Sequence, residues 1–320
     1  MSQPPTVCAE HTVTVKAPAD TVYRLLGDTE RWPEMFGSFV HLEVLGTVQE
    51  PDGLWERIAV WTHAGDQVHR WVKRRAAHPE DGRIDYYPEE LMPLLAAMRR
   101  SFVVEPVAER ESVVRLLHRY RPVDDDPDGL AALGRTIDDI ANAELAAVRD
   151  WVEPLTERPE LRLILSDTVE IEGNAADVYD FLWEVERWPA VMPHVSRVAV
   201  PTGHTDRQIV ELTTVEPKGG TLLTRLARVG QPHRAISFKY LALPPLGRSH
   251  LGRWDIVEHS PGRTSVRSTH RVVLNEAGIR QMLGPDTDLT AAAGFARQEI
   301  AGKNRLILQA AKAQVERGRR

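Results

Sequence analysis

The chain has a single cysteine in 320 residues, Cys8. That excludes an internal disulfide and any multi-cysteine metal site, and Cys8 reads as an ordinary N-terminal thiol, not a nucleophile. No apolar run approaches the roughly 18 residues needed to span a bilayer, and the opening MSQPPTVCAEHTV lacks the basic stretch and apolar run of a signal peptide. A soluble cytoplasmic protein with no membrane partner is expected. A basic excess is also missing: 40 Lys and Arg stand against 46 Asp and Glu, a formal net charge of −6, which argues against a nucleic-acid partner. Lysine occurs only at positions 16, 73, 218, 239, 303 and 312, so arginine carries the positive charge, a usage that reads as GC-rich coding. The common chemistries leave no signature. There is no G-x-S-x-G elbow, Lys218-Gly219-Gly220 lacks the rest of a phosphate loop, and no His, Asp and Glu cluster has metal-ligand spacing. Neither a metal nor a cofactor is called for.

What the chain does have is a repetition. Residues 12–33, TVTVKAPADTVYRLLGDTERWP, return at 168–189 as TVEIEGNAADVYDFLWEVERWP. Val13/Val169, Ala19/Ala175, Val22/Val178, Tyr23/Tyr179, Leu26/Leu182 and the run Glu-Arg-Trp-Pro stay in register without a gap. A spacing near half the chain means two copies of one domain, because solenoid repeats recur at only ~20–50 residues. Domains are expected at 5–155 and 160–317, joined by Pro154 to Pro159.

In each copy, alternating residues such as Val13 and Val15 predict a strand, and Pro18-Ala19-Asp20 opens a short helix that Trp32-Pro33 should stop. From 41 to 121 strand-like segments alternate with turn signals such as Pro51-Asp52-Gly53 and Ala64-Gly65-Asp66. Asp124-Asp125-Asp126-Pro127-Asp128-Gly129 then reads as a turn and helix start. Leu130, Leu133, Ile137, Ile140, Glu144, Val148 and Trp151 follow at helical spacing, and Leu289, Ala293, Ala296, Ile300 and Ile307 do so in the second copy. The expected fold class is α+β: two tandem helix-grip domains, each a curved antiparallel sheet wrapped round a long C-terminal helix. A hollow between sheet and helix suits a small or medium apolar guest.

Strand parity selects candidates for that hollow. Trp71 shares a face with His69, Lys73 and Arg75, while Val114 and Leu116 carry His118 and Tyr120 with them. In the second copy Val266, Ser268, His270 and Val272 share a face, as do His250, Trp254 and Ile256, and Arg228 matches Arg75. Parity alone leaves open which face is inside. The tryptophans Trp32, Trp71, Trp188 and Trp254 read first as packing residues.

The segments ERWP, HRWVKRR and LLHRYRPVDDDPDGL in the first copy, with DVYDFLWEVERWPAVMPHV, HLGRW, STHRV and AAKAQVE in the second, are collinear over nearly the whole chain. Together they resemble the didomain aromatase/cyclases of bacterial aromatic, discrete-subunit (type II) polyketide synthases, members of the START-like helix-grip superfamily. The resemblance implies Arg75 as pocket arginine, His118 as pocket histidine and Trp71 as pocket wall. Lys73 stands where the family commonly has Ser, Phe39 where single-domain relatives place a Tyr, and Ile140-Ala141 and Lys303-Asn304 where Asn-Ser is frequent.

The implied activity is regiospecific aldol cyclisation and dehydration of a poly-β-ketone: first-ring closure between C7 and C12 of a C9-reduced chain. The implied partners are the acyl carrier protein that tethers the chain and the other synthase subunits. Arg75, as an oxyanion donor, and His118, titrating near 6.5 and so able both to take and to give a proton, are the candidate catalytic residues. Trp71, Lys73, Tyr120, Phe39, Trp32, Arg228, His250, Trp254 and His270 are candidate substrate contacts. An arginine buried without a carboxylate partner would indicate an anionic guest. The alternative is a non-catalytic carrier of lipid or polyketide, which needs a greasy lining and little polar equipment.

Overall fold

The computed structural model describes residues 6–51, 53–123, 127–215 and 219–318. The acidic turn at Asp124–Asp126, Asp52 of an early turn signal and Lys218 lie outside the described residues.

The first half starts with β1 (Val7–Val15), α1 (Ala19–Gly27) and α2 (Trp32–Met35). Six strands follow, β2 (Phe39–Glu50), β3 (Gly53–Ala64), β4 (Gln67–His78), β5 (Arg83–Pro88), β6 (Leu95–Ala108) and β7 (Glu111–Pro122), and then the 31-residue helix α3 (Pro127–Glu157). The sheet runs β1-β7-β6-β5-β4-β3-β2, so the first strand returns beside the last.

The second half repeats the plan with β8 (Arg162–Ile171), α4 (Ala175–Trp183) and α5 (Trp188–Val191). Then come β9 (Val195–Gly203), β10 (Arg207–Val215), β11 (Thr221–Gln231), β12 (Ala235–Tyr240), β13 (Gly247–Ser260) and β14 (Arg263–Leu274). It ends in α6 (Glu276–Leu283) and the 29-residue α7 (Leu289–Arg317), with sheet order β8-β14-β13-β12-β11-β10-β9. The chain divides into two compact units, one of residues up to Trp61 with Arg70–Pro159, the other of Thr62–His69 with residues from Glu160 onward. No described helix is long and apolar enough to cross a membrane.

Parity decides the inner face. On β7 the residues Ser112, Val114, Leu116, His118 and Tyr120 are all buried and alternate with less buried neighbours, so the inward set is the one carrying the apolar pair. Helix α3 covers that face with Ala141, Leu145, Val148, Trp151 and Val152, which pack with Tyr86, Phe102, Val104 and Leu116. The second core is built alike from Ile236, Phe238, Trp254, Val266, Leu308 and Ala311.

Three local expectations change. Ile140 is 43% exposed, because the buried stripe runs through Ile137, Ala141 and Leu145 and leaves it on the flank. Pro154 lies inside α3, so the link between the halves is shorter than 154–159. The hydrogen bond it cannot donate would fall to the carbonyl of Asp150, an exposed position where water can substitute. Trp32-Pro33 does not end α1, which stops at Gly27; after a short 3₁₀ turn capped by Asp28 it opens α2, where proline is tolerated because its missing N–H has no helical partner anyway.

Candidate functional site

Antiparallel pairing sets four polar side chains in one row across the first sheet. Arg75 on β4 pairs with Tyr86 on β5, Tyr86 with Arg100 on β6, and Arg100 with His118 on β7. Residues directly opposite one another point to the same side of a pleated sheet, so the row faces α3 as a unit. From the helix Glu144 meets Arg100 in an ion pair, both side chains 17% exposed.

Each member is held differently. Arg75 donates to the carbonyl of Gly27 at 2.5 Å, where α1 ends, and its other terminal nitrogen lies 3.0 Å from a Glu56 carboxylate oxygen. It therefore has a carboxylate partner, and the inference from an unpaired arginine to an anionic guest does not apply. His118 is 2% exposed, and its Nδ1 has no protein partner among the described residues. Burial first, then the charge of Arg100 and the neighbouring His11, bring its pKa down to about 3. His118 is thus neutral at pH 7: it is a proton acceptor at the outset, not a group poised near 6.5. The Tyr86 hydroxyl is also buried without a protein partner. Burial pushes this phenol well above its ordinary range against the pull of Arg75 and Arg100.

Lys73 precedes Arg75 by two residues on the same strand face. Its Nζ lies over the Phe39 ring, 5.9 Å from the centroid. It keeps some accessible surface, yet burial, then the positive charge of Arg100, bring its pKa to about 8 against the opposing pull of Glu144. Phe39 and Trp32 belong to the apolar core: Trp32 contacts Phe36, Phe39 and Tyr86 edgewise or tilted and satisfies its indole N–H on the Leu26 carbonyl at 2.9 Å. Trp71 is half-buried on the Lys73 face, whereas His69 on that face is exposed. Tyr120 sits apart, in an apolar cluster with Leu95, Leu133 and Ile137.

The corresponding row of the second sheet reads Arg228, Phe238, Gly252, His270. Arginine and histidine recur, but the tyrosine hydroxyl is gone and a glycine replaces the second arginine. A Cβ at Gly252 would collide with the Phe238 ring, so that place is filled from the neighbouring strand. Leu226 occupies the position of Lys73. The buried spacing Ala141, Leu145, Val148, Val152 matches Asn304, Leu308, Ala311, Val315, which puts Ile307 where Glu144 stands.

Arg228 is committed to the protein. It donates to the carbonyls of Trp183 and Leu182 at 3.2 and 2.5 Å and to Gln208 Oε1 at 2.8 Å. The rings of Trp183, Trp188 and Trp254 surround it, and burial lowers its pKa to about 9, partly offset by Tyr179 and Glu186. His250 Nε2 and His270 Nδ1 are 2.9 Å apart, with His250 stacked on Tyr240. Burial holds His250 well below its usual range and His270 down to about 4. Trp254 Nε1 and Ser268 Oγ both donate to Asn304 Oδ1, at 3.2 and 2.9 Å.

Arg100, Glu144 and Tyr86 join the site although sequence reasoning did not select them. Their signal was parity: Arg100 shares its strand face with Phe102 and Val104, and Tyr86 with Ile84. Among the described residues no group of three His, Cys, Asp or Glu is placed to hold a metal ion.

A sheet wrapped round a closing helix, with a charged and hydrogen-bonding row on its inner face, defines a helix-grip domain of the cyclase type. The family described as "Polyketide cyclase / dehydrase and lipid transport" matches residues 171–292. The granaticin polyketide synthase bifunctional cyclase/dehydratase of Streptomyces violaceoruber is 30% identical over 93% of this chain and 90% of its own length. The protein of the same description from Streptomyces virginiae is 35% identical over 82% of this chain and 85% of its own. The crystal structure of the di-domain ARO/CYC BexL from the BE-7585A biosynthetic pathway superposes with a TM-score of 0.90 at 38% identity, covering 97% of this chain and 99% of that one. The chain belongs to the polyketide synthase bifunctional cyclase/dehydratases, the di-domain aromatase/cyclases, and is an enzyme of that class.

Proposed function

We propose that the first unit is the reaction chamber, in which a poly-β-ketone delivered on an acyl carrier protein closes its first ring between C7 and C12 and loses the C9 hydroxyl as water. The observation that carries this reading is the row Arg75, Tyr86, Arg100, His118, set against its reduced counterpart Arg228, Phe238, Gly252, His270.

Ring closure is an intramolecular aldol reaction. A carbon between two carbonyls loses a proton and attacks a ketone further along the chain, and negative charge develops on that ketone's oxygen. His118, neutral in the resting enzyme, takes the proton. The imidazolium so formed lies opposite Arg100, where it is a strong acid, and it returns the proton to that oxygen. In the dehydration that follows, the imidazole takes a proton from the carbon beside C9 and gives it to the departing hydroxyl. The imidazole ends as it began, and positioned proton transfer of this kind is worth roughly 10²–10⁴ in rate. Arg100 and the Tyr86 hydroxyl answer the developing oxyanion, each worth about 2.7–4 kcal/mol if it behaves as one oxyanion donor. Arg75, tied to Gly27 and Glu56, fixes the strand and the α1 terminus against which the chain folds, and lends its charge to Tyr86. A carrier protein would require none of this charge on its inner face.

The test is reconstitution with a minimal synthase, supplying C9-reduced and unreduced chains separately. Aromatised product from the reduced chain, with its ring closed between C7 and C12, is the expected result. Aromatisation confined to unreduced chains would overturn the regiochemistry.

A further inference from the structure

Resting on the reading that the first unit takes a poly-β-ketone, we propose that Lys73 is a covalent catalyst whose amine condenses with a ketone of the bound chain, so that the ring closes through an enamine.

The placement of this side chain calls for an explanation. Lys73 projects from β4 on the face that carries Arg75, and its nitrogen rests over Phe39. Among the described residues it has no carboxylate within ion-pair distance: Glu144 is near enough to influence it, but its ion pair is with Arg100. A positive charge meant only to meet an oxyanion would be served by arginine, which this chain uses almost everywhere a cation is needed. Lysine brings what guanidinium cannot, because arginine stays protonated whereas a buried lysine amine can be freed to act as a nucleophile. With its pKa brought to about 8, a useful fraction of the amine is unprotonated near neutral pH. The second sheet has Leu226 at this position, so the chemistry belongs to the first unit alone.

The steps balance without an added reactant. The neutral Nζ adds to a ketone carbon, its proton passing to the new oxygen, and with one further proton taken from solvent the carbinolamine hydroxyl leaves as water to give a protonated C=N bond. A hydrogen on the adjacent carbon passes to His118 as a proton, and its bonding pair becomes the C=C of a neutral enamine. That carbon attacks a second ketone of the same chain; the new C–C bond forms, and the ketone oxygen takes the proton back from the imidazolium. The resulting tertiary hydroxyl leaves as water by the same proton route, and hydrolysis of the protonated C=N bond consumes one water, restores both amine and carbonyl, and returns the proton to solvent. The net change is aldol closure with loss of the water derived from the attacked ketone; the C9 hydroxyl leaves as a second water in the dehydration at His118.

The experiment treats the full-length enzyme with pentane-2,4-dione, whose condensation with a reactive lysine gives an enaminone with near-ultraviolet absorbance. Peptide mapping then locates the adduct. We expect a single adduct at Lys73, absent in Lys73→Arg and Lys73→Leu, and in Lys73→Arg, although the cation is kept, a fall of first-ring closure to the unaided rate and product mixture. Mapping on the wild type needs no variant to fold. A folded wild type unlabelled at Lys73, labelling only at Lys239 or a surface lysine, or Lys73→Arg cyclising at the wild-type rate would each overturn the proposal. Labelling at Lys73 in an enzyme that leaves carrier-bound chains uncyclised would instead overturn the functional reading on which it rests.

Discussion

Arg100 lies directly opposite His118 on adjoining strands, and its permanent charge helps keep the buried imidazole neutral. On its other side the same guanidinium is paired with Glu144 from the closing helix. One arginine thus adds to the burial that keeps His118 neutral and links sheet to helix. Replacing Arg100 by Met should leave Glu144 as a charge without its partner, in a place largely shielded from water. Breaking such a pair costs about 3–5 kcal/mol when fully buried, and the residual exposure here puts the expected loss near the low end. The double variant Arg100→Met with Glu144→Leu should recover most of that stability but not product formation. Urea denaturation beside product analysis checks both. A double variant with wild-type products would remove the pair from the chemistry.

Three histidines, His118, His250 and His270, are buried and held neutral. Above pH 6.5 they are uncharged in folded and unfolded chains alike and contribute nothing to the pH dependence. As pH falls through about 6.5 the unfolded chain gains protons that the folded chain refuses, so stability declines until the folded values of about 4 for His270 and about 3 for His118 are reached. Each histidine can cost up to about 1.4 kcal/mol per pH unit in that window. Unfolding free energies at pH 7.5, 6 and 5 should therefore fall, and His270→Asn should lower the slope. Stability unchanged between pH 7 and 5 would contradict this account.

Much of this was legible in the sequence, and the limits have physical causes. The ungapped repeat announced two like domains, and the apolar pair Val114 and Leu116 correctly carried His118 inward, because a pleated strand alternates strictly. Arg100 is not legible in the sequence, since an arginine in a strand is ordinarily a solvated one, and only the pairing of three strands shows that it faces Tyr86 and His118. The Glu56 partner of Arg75 depends on how β3 lies beside β4, which composition does not encode. The state of His118 differs from the expected titration near 6.5 for a related reason: its pKa is lowered by burial first, and then by a neighbour 18 positions away in the chain.

In the second unit Asn304 Oδ1 accepts from both Trp254 and Ser268. Asn304→Leu keeps the volume but strands two buried donors, at about 1–3 kcal/mol each. The expected outcome is a lower unfolding midpoint for the second unit with aromatised product unchanged, followed by thermal unfolding and product chromatography. An altered product profile in a folded variant would mean that the second unit takes part in the reaction.

Arg75 and Arg228 should also part company. Arg228 ties two helix-end carbonyls and Gln208 together beneath three tryptophan rings, so Arg228→Met should act through stability, and the protein that still folds should give wild-type products. Arg75→Met loses the Gly27 and Glu56 contacts beside the charged row, and should shift products toward unaided, misfolded closures even in protein that unfolds at the normal temperature. A larger loss of aromatised product from the Arg228 variant would reverse the assignment of the reaction to the first unit.

His118→Ala separates proton transfer from chain folding. Poly-β-ketones close rings unaided, and the aromatic packing of Trp32, Phe39 and Tyr86 remains in the variant, so some correct closure should persist. Dehydration has no such spontaneous help at the same position once the imidazole is gone. A ring-closed, undehydrated intermediate or its shunt product should accumulate, with affinity for an aromatic polyketide analogue preserved, because the lost interaction belongs to the transition state and not to binding. Product mass spectra and analogue binding, measured together on wild type and variant, distinguish this from a packing role. If His118 only fills space, products will be unchanged in protein that retains its fold; if it binds substrate without moving a proton, affinity and product yield will fall together with no undehydrated species.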